Sequence, residues 1–124
     1  MKVRAVDFIS YTVSDMDRSE AFYRDVLGLD VEVPRGAPGT RGNGYMEFDA
    51  GGTAIGLVAL PQRQPNALPA FAVEDVAAAV EELRGKGVTI VMEGIESPVC
   101  HMAVIADPDG HQIVLHQRKD GTFG

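Results

Sequence analysis

The side chains best suited to chemistry in this sequence are three histidines and one cysteine, which all lie between residues 100 and 116. His101, His111 and His116 could each exchange a proton near neutral pH or bind a metal ion. His111 directly follows an Asp-Pro-Asp-Gly turn sequence, so we expect it to be exposed. No histidine or aspartate spacing around Cys100 suggests an activated thiolate, and we predict a small buried hydrophobic residue there.

His116 ends a predicted strand, in which alternate residues lie on opposite faces. Gln112, Val114 and His116 share one face, whereas Ile113 and Leu115 form the other, apolar face. Two interpretations of His116 stay open at this point. It is either a polar anchor inside an otherwise apolar pocket or a solvent-exposed histidine at a fraying strand end.

The strand before the turn, residues 99–106, is predicted to pair with the strand of His116 in one of two ways. A four-residue turn places His101 opposite His116. A bulge at Gly110 brings Cys100 and Met102 to that face instead. The sequence does not choose between the two pairings.

Length and charge restrict the class of protein. A chain of 124 residues with 45% hydrophobic and 23% charged residues is typical of one soluble domain. Its net charge of −7 argues against nucleic acid as a partner, because such proteins present a basic face. No apolar run reaches the ~20 residues that span a bilayer, so we expect no membrane partner. A single cysteine is typical of a reducing compartment, and we expect a cytoplasmic protein.

The chain contains an internal repeat with an offset of 60 residues. Residues 8–31 align with residues 68–91, so that Val13 matches Val73 and Asp15 matches Asp75. Each copy predicts a strand, a helix and three further strands, with modules at 1–60 and 68–117 and a linker at 61–67. Together they make one domain, residues 1–124. The glycine-rich segment 34–44 is either a connector or a lid over a pocket.

The two helices are predicted at 15–27 and 75–86. In the first, Ser14 and Asp17 have the spacing of a capping box, and the apolar stripe comprises Met16, Tyr23, Val26 and Leu27. In the second, Asp75 is a natural N-cap. Tyr11 is expected to pack in the core.

The paired β-α-β-β-β modules, the first helix SEAFYRDVLGL and the turn DPDG resemble the vicinal oxygen chelate superfamily. This superfamily includes glyoxalase I, ring-cleaving dioxygenases and the bleomycin resistance proteins. The resemblance implies an α+β fold of two βαβββ modules related by a pseudo-twofold axis, with sheets curled into an open cleft. It also implies a homodimer.

The resemblance further implies where a divalent metal would be bound in the enzymes of the superfamily. The corresponding positions here are Phe8, Leu68 and Val114, and less surely Gly56. None of these side chains offers an electron pair to a metal ion. We therefore expect no metal and no other cofactor.

Two function classes follow. The first is metal-independent binding of a small organic ligand in a largely apolar cleft. Its expected ligand-binding residues are Phe8, Ser10, Gly56, Leu68, His101, Val114 and His116, and the catalytic residues are unknown. The second is a metal-dependent lyase, isomerase or dioxygenase of glyoxalase type. Its rearranged metal ligands would come from His101, His111, His116 and Glu47.

Strand geometry and the missing metal ligands lead to a specific expectation for His116. We expect it at the open end of the cleft, in contact with ligand or water and with no ion. Its replacement by alanine should then weaken ligand binding and leave thermal stability almost unchanged.

Overall fold

A computed structural model describes residues 1–60 and 66–124. Of the predicted linker at 61–67, residues 61–65 lie outside this description. The elements are strands β1 (Ala5–Val13), β2 (Asp30–Val33), β3 (Tyr45–Asp49), β4 (Ala54–Ala59), β5 (Ala67–Ala72), β6 (Thr89–Glu96), β7 (Cys100–Ala106) and β8 (Gln112–Arg118), and helices α1 (Met16–Ala21) and α2 (Val76–Gly85). Among the described residues, no helix is long and apolar enough to cross a membrane.

The chain divides into two compact units. Residues 8–67 form the first, which we call the N-terminal unit. Residues 1–7 and 68–124 form the second, the C-terminal unit. The division falls within β1, so Asp7 belongs to the C-terminal unit although it directly precedes Phe8.

In the N-terminal unit the strand order is β2-β3-β4-β1, with β1 parallel to β4 and the other pairs antiparallel. Its core comprises Met16, Met46, Phe48 and Leu57. Tyr11 packs against this core, as predicted, and stacks on Tyr23. Side chains alternate along β3, so Met46 and Phe48 are buried on one face of the strand. The other face carries Tyr45 and Glu47, which are available for polar contacts.

Helix α1 is shorter than predicted. Its N-cap is Asp15, which accepts a hydrogen bond from the amide of Arg18; the predicted Ser14–Asp17 capping box is wrong. A π-helical turn follows at Phe22–Val26, in which the amide of Leu27 bonds to the carbonyl of Phe22. The wider turn rotates the next side chains around the axis. Val26 and Leu27, predicted in the apolar stripe, are consequently exposed.

The C-terminal unit repeats the same element order, with strand order β5-β8-β7-β6 and β5 parallel to β8. Its core lies between α2 and one face of the sheet, and comprises Val73, Val76, Ala79, Val80, Leu83, Ala103, Ile105 and Leu115. Asp75 caps α2 by accepting from the amide of Ala78 at 3.0 Å, as predicted. The α+β class and the duplicated modules are confirmed.

Candidate functional site

The pairing of β7 with β8 decides which side chains accompany His116. Met102 lies opposite His116 and Cys100 lies opposite Arg118, in a register without interruption from residue 100 to residue 106. Cross-strand partners share a face, so Cys100 and Met102 lie on the face of His116. Of the two pairings that the sequence left open, the structure has the second.

His101 lies on the opposite face of the same sheet, because its partner is Gln117. That face carries helix α2, whose first amide, on Val76, donates to Oε1 of Gln117 at 2.9 Å. His101 and His116 are therefore separated by the thickness of the sheet. Both were predicted to bind ligand, and the structure does not bring them together.

His116 is buried, with 6% of its surface exposed. Of the two interpretations, a solvent-exposed histidine at a fraying strand end is therefore wrong, and the contact of His116 with a ligand stays a prediction. Its Nδ1 donates to Oδ2 of Asp7 at 2.5 Å, and the Asp7 side chain has no exposed surface. The physical reason is that a carboxylate buried in this unit requires a donor, and the imidazole supplies it.

The second oxygen of Asp7 is also bonded. Oδ1 accepts from the backbone amide of Gly124 at 2.7 Å and lies 3.7 Å from a guanidinium nitrogen of Arg118. Arg118 in turn donates to the carbonyl of Gly124. These contacts hold the carboxylate in one orientation toward His116.

Cys100 lies on the same face of the sheet as His116, which acts on its thiol, and Cys100 is 6% exposed. Its Sγ lies 3.1 Å from Oγ of Ser97. That oxygen already accepts from the amides of Val99 and Cys100. The hydroxyl proton of Ser97 is therefore directed at the sulfur.

The two titratable groups shift in opposite directions. Burial favours the neutral thiol, but hydrogen bonds to His116 and Ser97 and the positive charges of His116 and Lys119 lower the pKa of Cys100 below its ordinary value. Burial also opposes the charged imidazole, yet the bonds to Cys100 and Asp7 raise the pKa of His116. Both shifts favour a thiolate beside an imidazolium.

Asp7, His116 and Cys100 thus form a carboxylate, an imidazole and a thiol in series, the arrangement that activates a nucleophile. Cys100 is buried, as predicted, but the sequence did not reveal its polar neighbours. The missed residue is Asp7, which is 109 positions from His116 in sequence. The available signal was a single carboxylate within the apolar strand sequence AVDFISYTV.

In the N-terminal unit, two of the expected metal positions lie on β1 and β4. Phe8 pairs with Ala54, and Gly56 lies between Ser10 on β1 and Glu47 on β3. A Cβ atom at Gly56 would lie 2.9 Å from the hydroxyl of Tyr45.

The phenol of Tyr45 fills the space where a side chain of residue 56 would project. Its hydroxyl donates to Oε2 of Glu47 at 2.6 Å. Glycine offers no metal ligand at position 56, and a side chain there would have to displace the hydroxyl of Tyr45.

The other two expected metal positions, Leu68 and Val114, belong to the C-terminal unit. Leu68 is half-buried on β5, and Val114 is buried on β8 opposite Ala70. Within residues 1–60 and 66–124, no three side chains of His, Cys, Asp or Glu form a group suited to a metal ion. The residues at these positions do not fit the divalent metal of the superfamily.

Two further predictions concern the surface. His111 is exposed, as expected, and follows a turn held by Oδ1 of Asp107. In the loop 34–44, Arg35 forms ion pairs with Asp17 and Glu20, each at 2.7 Å. These ion pairs tie the start of the loop to α1.

Comparison with known proteins gives one family. A sequence model described as Glyoxalase/Bleomycin resistance protein/Dioxygenase superfamily matches residues 5–115. A probable lactoylglutathione lyase of Vibrio parahaemolyticus is 26% identical, covering 90% of this chain and 89% of that protein.

Two solved structures share the fold. Methylmalonyl-CoA epimerase from Mycobacterium tuberculosis has a TM-score of 0.72 and 23% identity, covering 93% of this chain and 88% of its own. The Mn(II)-bound glyoxalase from Novosphingobium aromaticivorans has a TM-score of 0.67 and 21% identity, covering 98% of this chain and 40% of its own.

Proposed function

Because this chain belongs to the Glyoxalase/Bleomycin resistance protein/Dioxygenase superfamily, we propose that it binds a small, largely apolar organic molecule without a resident metal ion. The proposal rests on the residues at the four positions where its relatives would hold the metal. Phenylalanine, glycine, leucine and valine replace charged or polar ligands there, which converts a polar site into a hydrophobic one.

The observation that carries the proposal is the contact between Tyr45 and Gly56. The phenol occupies the volume that a metal-binding side chain at position 56 would need, and its hydroxyl is bonded to Glu47. An aromatic ring thus occupies the space beside Gly56. An aromatic ring with a polar tip suits an organic ligand that is apolar along most of its length.

Phe8, Ser10 and Gly56 are the proposed ligand contacts of the N-terminal unit, and Leu68, Val114 and His116 are those of the C-terminal unit. His101 does not share a face with His116, so it is not part of the same binding surface.

A metal-dependent lyase, isomerase or dioxygenase is the second candidate, favoured by the names of the relatives. The geometry of β7 and β8 argues against its rearranged set of metal ligands. His101 and His116 lie on opposite faces, His111 is an exposed turn residue, and the Nδ1 atom of His116 is bound to Asp7. These residues do not converge on one point.

Metal analysis of protein purified without a histidine tag distinguishes the two candidates. We expect no stoichiometric nickel, zinc, iron or manganese after dialysis, and no thermal shift on addition of Ni²⁺, Zn²⁺ or Mn²⁺. A bound metal that resists dialysis contradicts the proposal. As a positive control, the variant Phe8→His/Leu68→His/Val114→Glu restores three of the four ligand types and is expected to gain metal affinity.

Binding of an apolar ligand can be tested with the fluorescent probe 8-anilinonaphthalene-1-sulfonate. We expect saturable binding to the native chain and weaker binding to Phe8→Ser. Val31→Ser, which changes an exposed apolar residue of β2, is the matched control and should bind the probe as the native chain does. Equal loss in both variants would contradict a specific site at Phe8.

A further inference from the structure

We propose that Cys100, His116 and Asp7 form a nucleophilic thiol site, in which the Cys100 thiolate reacts with hydroperoxides and is oxidised to a sulfenic acid. The site lies wholly within the C-terminal unit. Of its three side chains, only His116 is also among the proposed ligand contacts, and the reaction with hydroperoxides does not require an apolar ligand.

The geometry supplies each part that such a reaction needs. Cys100 and the imidazole of His116 lie on the same face of the sheet, and Nδ1 of that imidazole donates to Asp7 at 2.5 Å. Asp7 is itself held by the Gly124 amide and by Arg118. A nucleophile, an acid–base group and an orienting carboxylate are therefore connected in series.

The hydroxyl of Ser97 is a further polar group beside the sulfur. Ser97 directs its proton at Sγ from 3.1 Å, while its oxygen accepts from the amides of Val99 and Cys100. This bond stabilises a negative sulfur. The same hydroxyl lies where it can donate to an oxygen atom that approaches the sulfur.

Charged groups of both signs lie near the thiol, and the positive ones, His116 and Lys119, favour its anionic form. His116 and Arg118 come from β8, Asp7 comes from β1, and Lys119 follows β8. Lys119 is paired with Glu96 at the end of β6, at 2.5 Å. Two of these neighbours, His116 and Lys119, lower the pKa of the thiol, in agreement with the hydrogen-bond geometry.

Because little of Cys100 is exposed, only a small reagent can reach its sulfur. The thiol is 6% exposed and begins β7 directly after an exposed turn at Pro98 and Val99. A molecule as small as hydrogen peroxide can approach from this turn, whereas a bulky disulfide would have to open it. His116 also provides the proton that a departing hydroxide requires.

The step balances with these groups alone. The thiolate sulfur attacks one oxygen of hydrogen peroxide, forming a sulfur–oxygen bond as the oxygen–oxygen bond breaks. The sulfur is oxidised by two electrons and the peroxide is reduced. The departing hydroxide takes the imidazolium proton of His116 and leaves as water, so that Cys100 becomes a sulfenic acid and His116 becomes neutral.

The test uses the single cysteine, since a dimedone adduct forms only with a sulfenic acid and therefore reports on Cys100 alone, distinct from oxidation of the five methionines. The native chain and the urea-unfolded chain are treated with hydrogen peroxide at about pH 6, trapped with dimedone and analysed by mass spectrometry. We expect the native thiol to be oxidised about tenfold faster, because an ordinary thiol with a pKa of about 8.5 is scarcely ionised there. A native rate equal to or below the unfolded rate would overturn the proposal.

Two variants test the roles of the neighbours. Asp7→Asn removes the carboxylate that holds the imidazolium, and we expect about tenfold slower oxidation, equivalent to one pKa unit in the thiol. Asp109→Asn, an exposed aspartate of the turn before β8, is the matched control and should react as the native chain does.

Because Asp7→Asn removes a buried charge, its fold is first checked by circular dichroism. If it is unfolded, Ser97→Ala replaces it, and a severalfold slower oxidation is expected.

Iodoacetamide provides a second readout. We expect its rate with the native chain to rise with pH through an inflection below the ordinary thiol value of about 8.5. An inflection at or above that value contradicts the activated thiolate. Rapid alkylation without any dimedone adduct contradicts the proposed reaction with hydroperoxides.

Discussion

Asp7 is a carboxylate without exposed surface, in a strand whose neighbouring residues Val6 and Phe8 are apolar. A buried charge is costly unless it is paired and hydrogen-bonded. Here His116 binds one oxygen and the Gly124 amide binds the other. The burial of His116 follows from this requirement, since the partner of a buried carboxylate must itself be in the interior.

Replacement of His116 by alanine is expected to destabilise the protein by about 3 kcal/mol, because the buried carboxyl of Asp7 would lose its closest hydrogen-bond partner. This reverses the expectation from the sequence, which placed His116 in contact with solvent. Urea unfolding followed by circular dichroism measures the effect.

The matched control is His111→Ala, which removes the exposed histidine of the turn before β8. Its stability should stay within about 0.5 kcal/mol of the native value. If His116→Ala behaved like this control, the Asp7–His116 pair would contribute nothing to folding.

The raised pKa of His116 makes its contribution dependent on pH. The folded chain holds the imidazolium proton more tightly than the unfolded chain. The stability from this proton is therefore complete below about pH 6.5 and is lost as pH rises through the higher folded pKa.

A Cys100→Ser background removes the thiol, which is itself one of the groups that raise the pKa of His116, and so isolates the contribution of Asp7 to this dependence. Urea midpoints of Cys100→Ser and Cys100→Ser/His116→Gln are compared at about pH 6 and about pH 8.5. We expect the larger difference at the lower pH. A difference that grows with pH would mean that His116 is not stabilised in its protonated form.

At the scale of elements, alternation along the strands decides which residues meet. On β3, Met46 and Phe48 are buried, and the opposite face presents Tyr45 and Glu47 toward Gly56 on β4. The absence of a side chain at Gly56 is what admits the phenol. A glycine within a strand thus marks a close approach by a neighbouring side chain.

Gly56→Ala is expected to displace the phenol of Tyr45, since the new Cβ would lie 2.9 Å from its hydroxyl. Loss of the bond to Glu47 should make this variant about 1 kcal/mol less stable than Gly44→Ala, where an added Cβ meets open space. Thermal unfolding of the two variants provides the comparison.

A Tyr45→Phe background supplies the control for this prediction. Without the hydroxyl, Gly56→Ala should no longer be penalised relative to Gly44→Ala, because the crowded atom is gone. A penalty that persists in this background would show that the phenol hydroxyl is not the cause.

At the scale of the whole molecule, each unit has a terminal strand in its sheet whose outer edge is unpaired within the described residues. In the N-terminal unit this is β2, with Val31 exposed, and in the C-terminal unit it is β6, with Val91 and Met92 exposed. The unpaired backbone groups of an exposed edge strand can pair with a strand of a second chain. Interruptions of the β6 register on either side of Met92 limit regular pairing there.

We expect a homodimer, in which an edge strand of one copy is covered by the other. Sedimentation equilibrium at micromolar concentration should give twice the chain mass of 13.3 kDa. Val31→Lys and Met92→Lys each place a charge on one edge. Dissociation by one variant would identify the edge that is covered, whereas a monomeric native chain would contradict the prediction.

The sequence alone determined the repeat, the positions of the eight strands, the N-cap of α2 and the family. It also predicted that Phe8, Leu68 and Val114 stand at the metal-ligand positions of the superfamily. These features depend on local periodicity and short motifs, which act over a few residues. The length of α1 escaped prediction because a π-helical turn changes the helical face without a distinct sequence pattern.

Only the tertiary structure decided that Asp7, Cys100 and His116 come together. Asp7, Cys100 and His116 meet because the residues before Phe8 belong to the C-terminal unit and because β7 pairs with β8 in one register. A shift of that register by one residue would have turned His101 toward His116 in place of Cys100. No local pattern encodes a contact across 109 residues, since it depends on how the sheet is assembled.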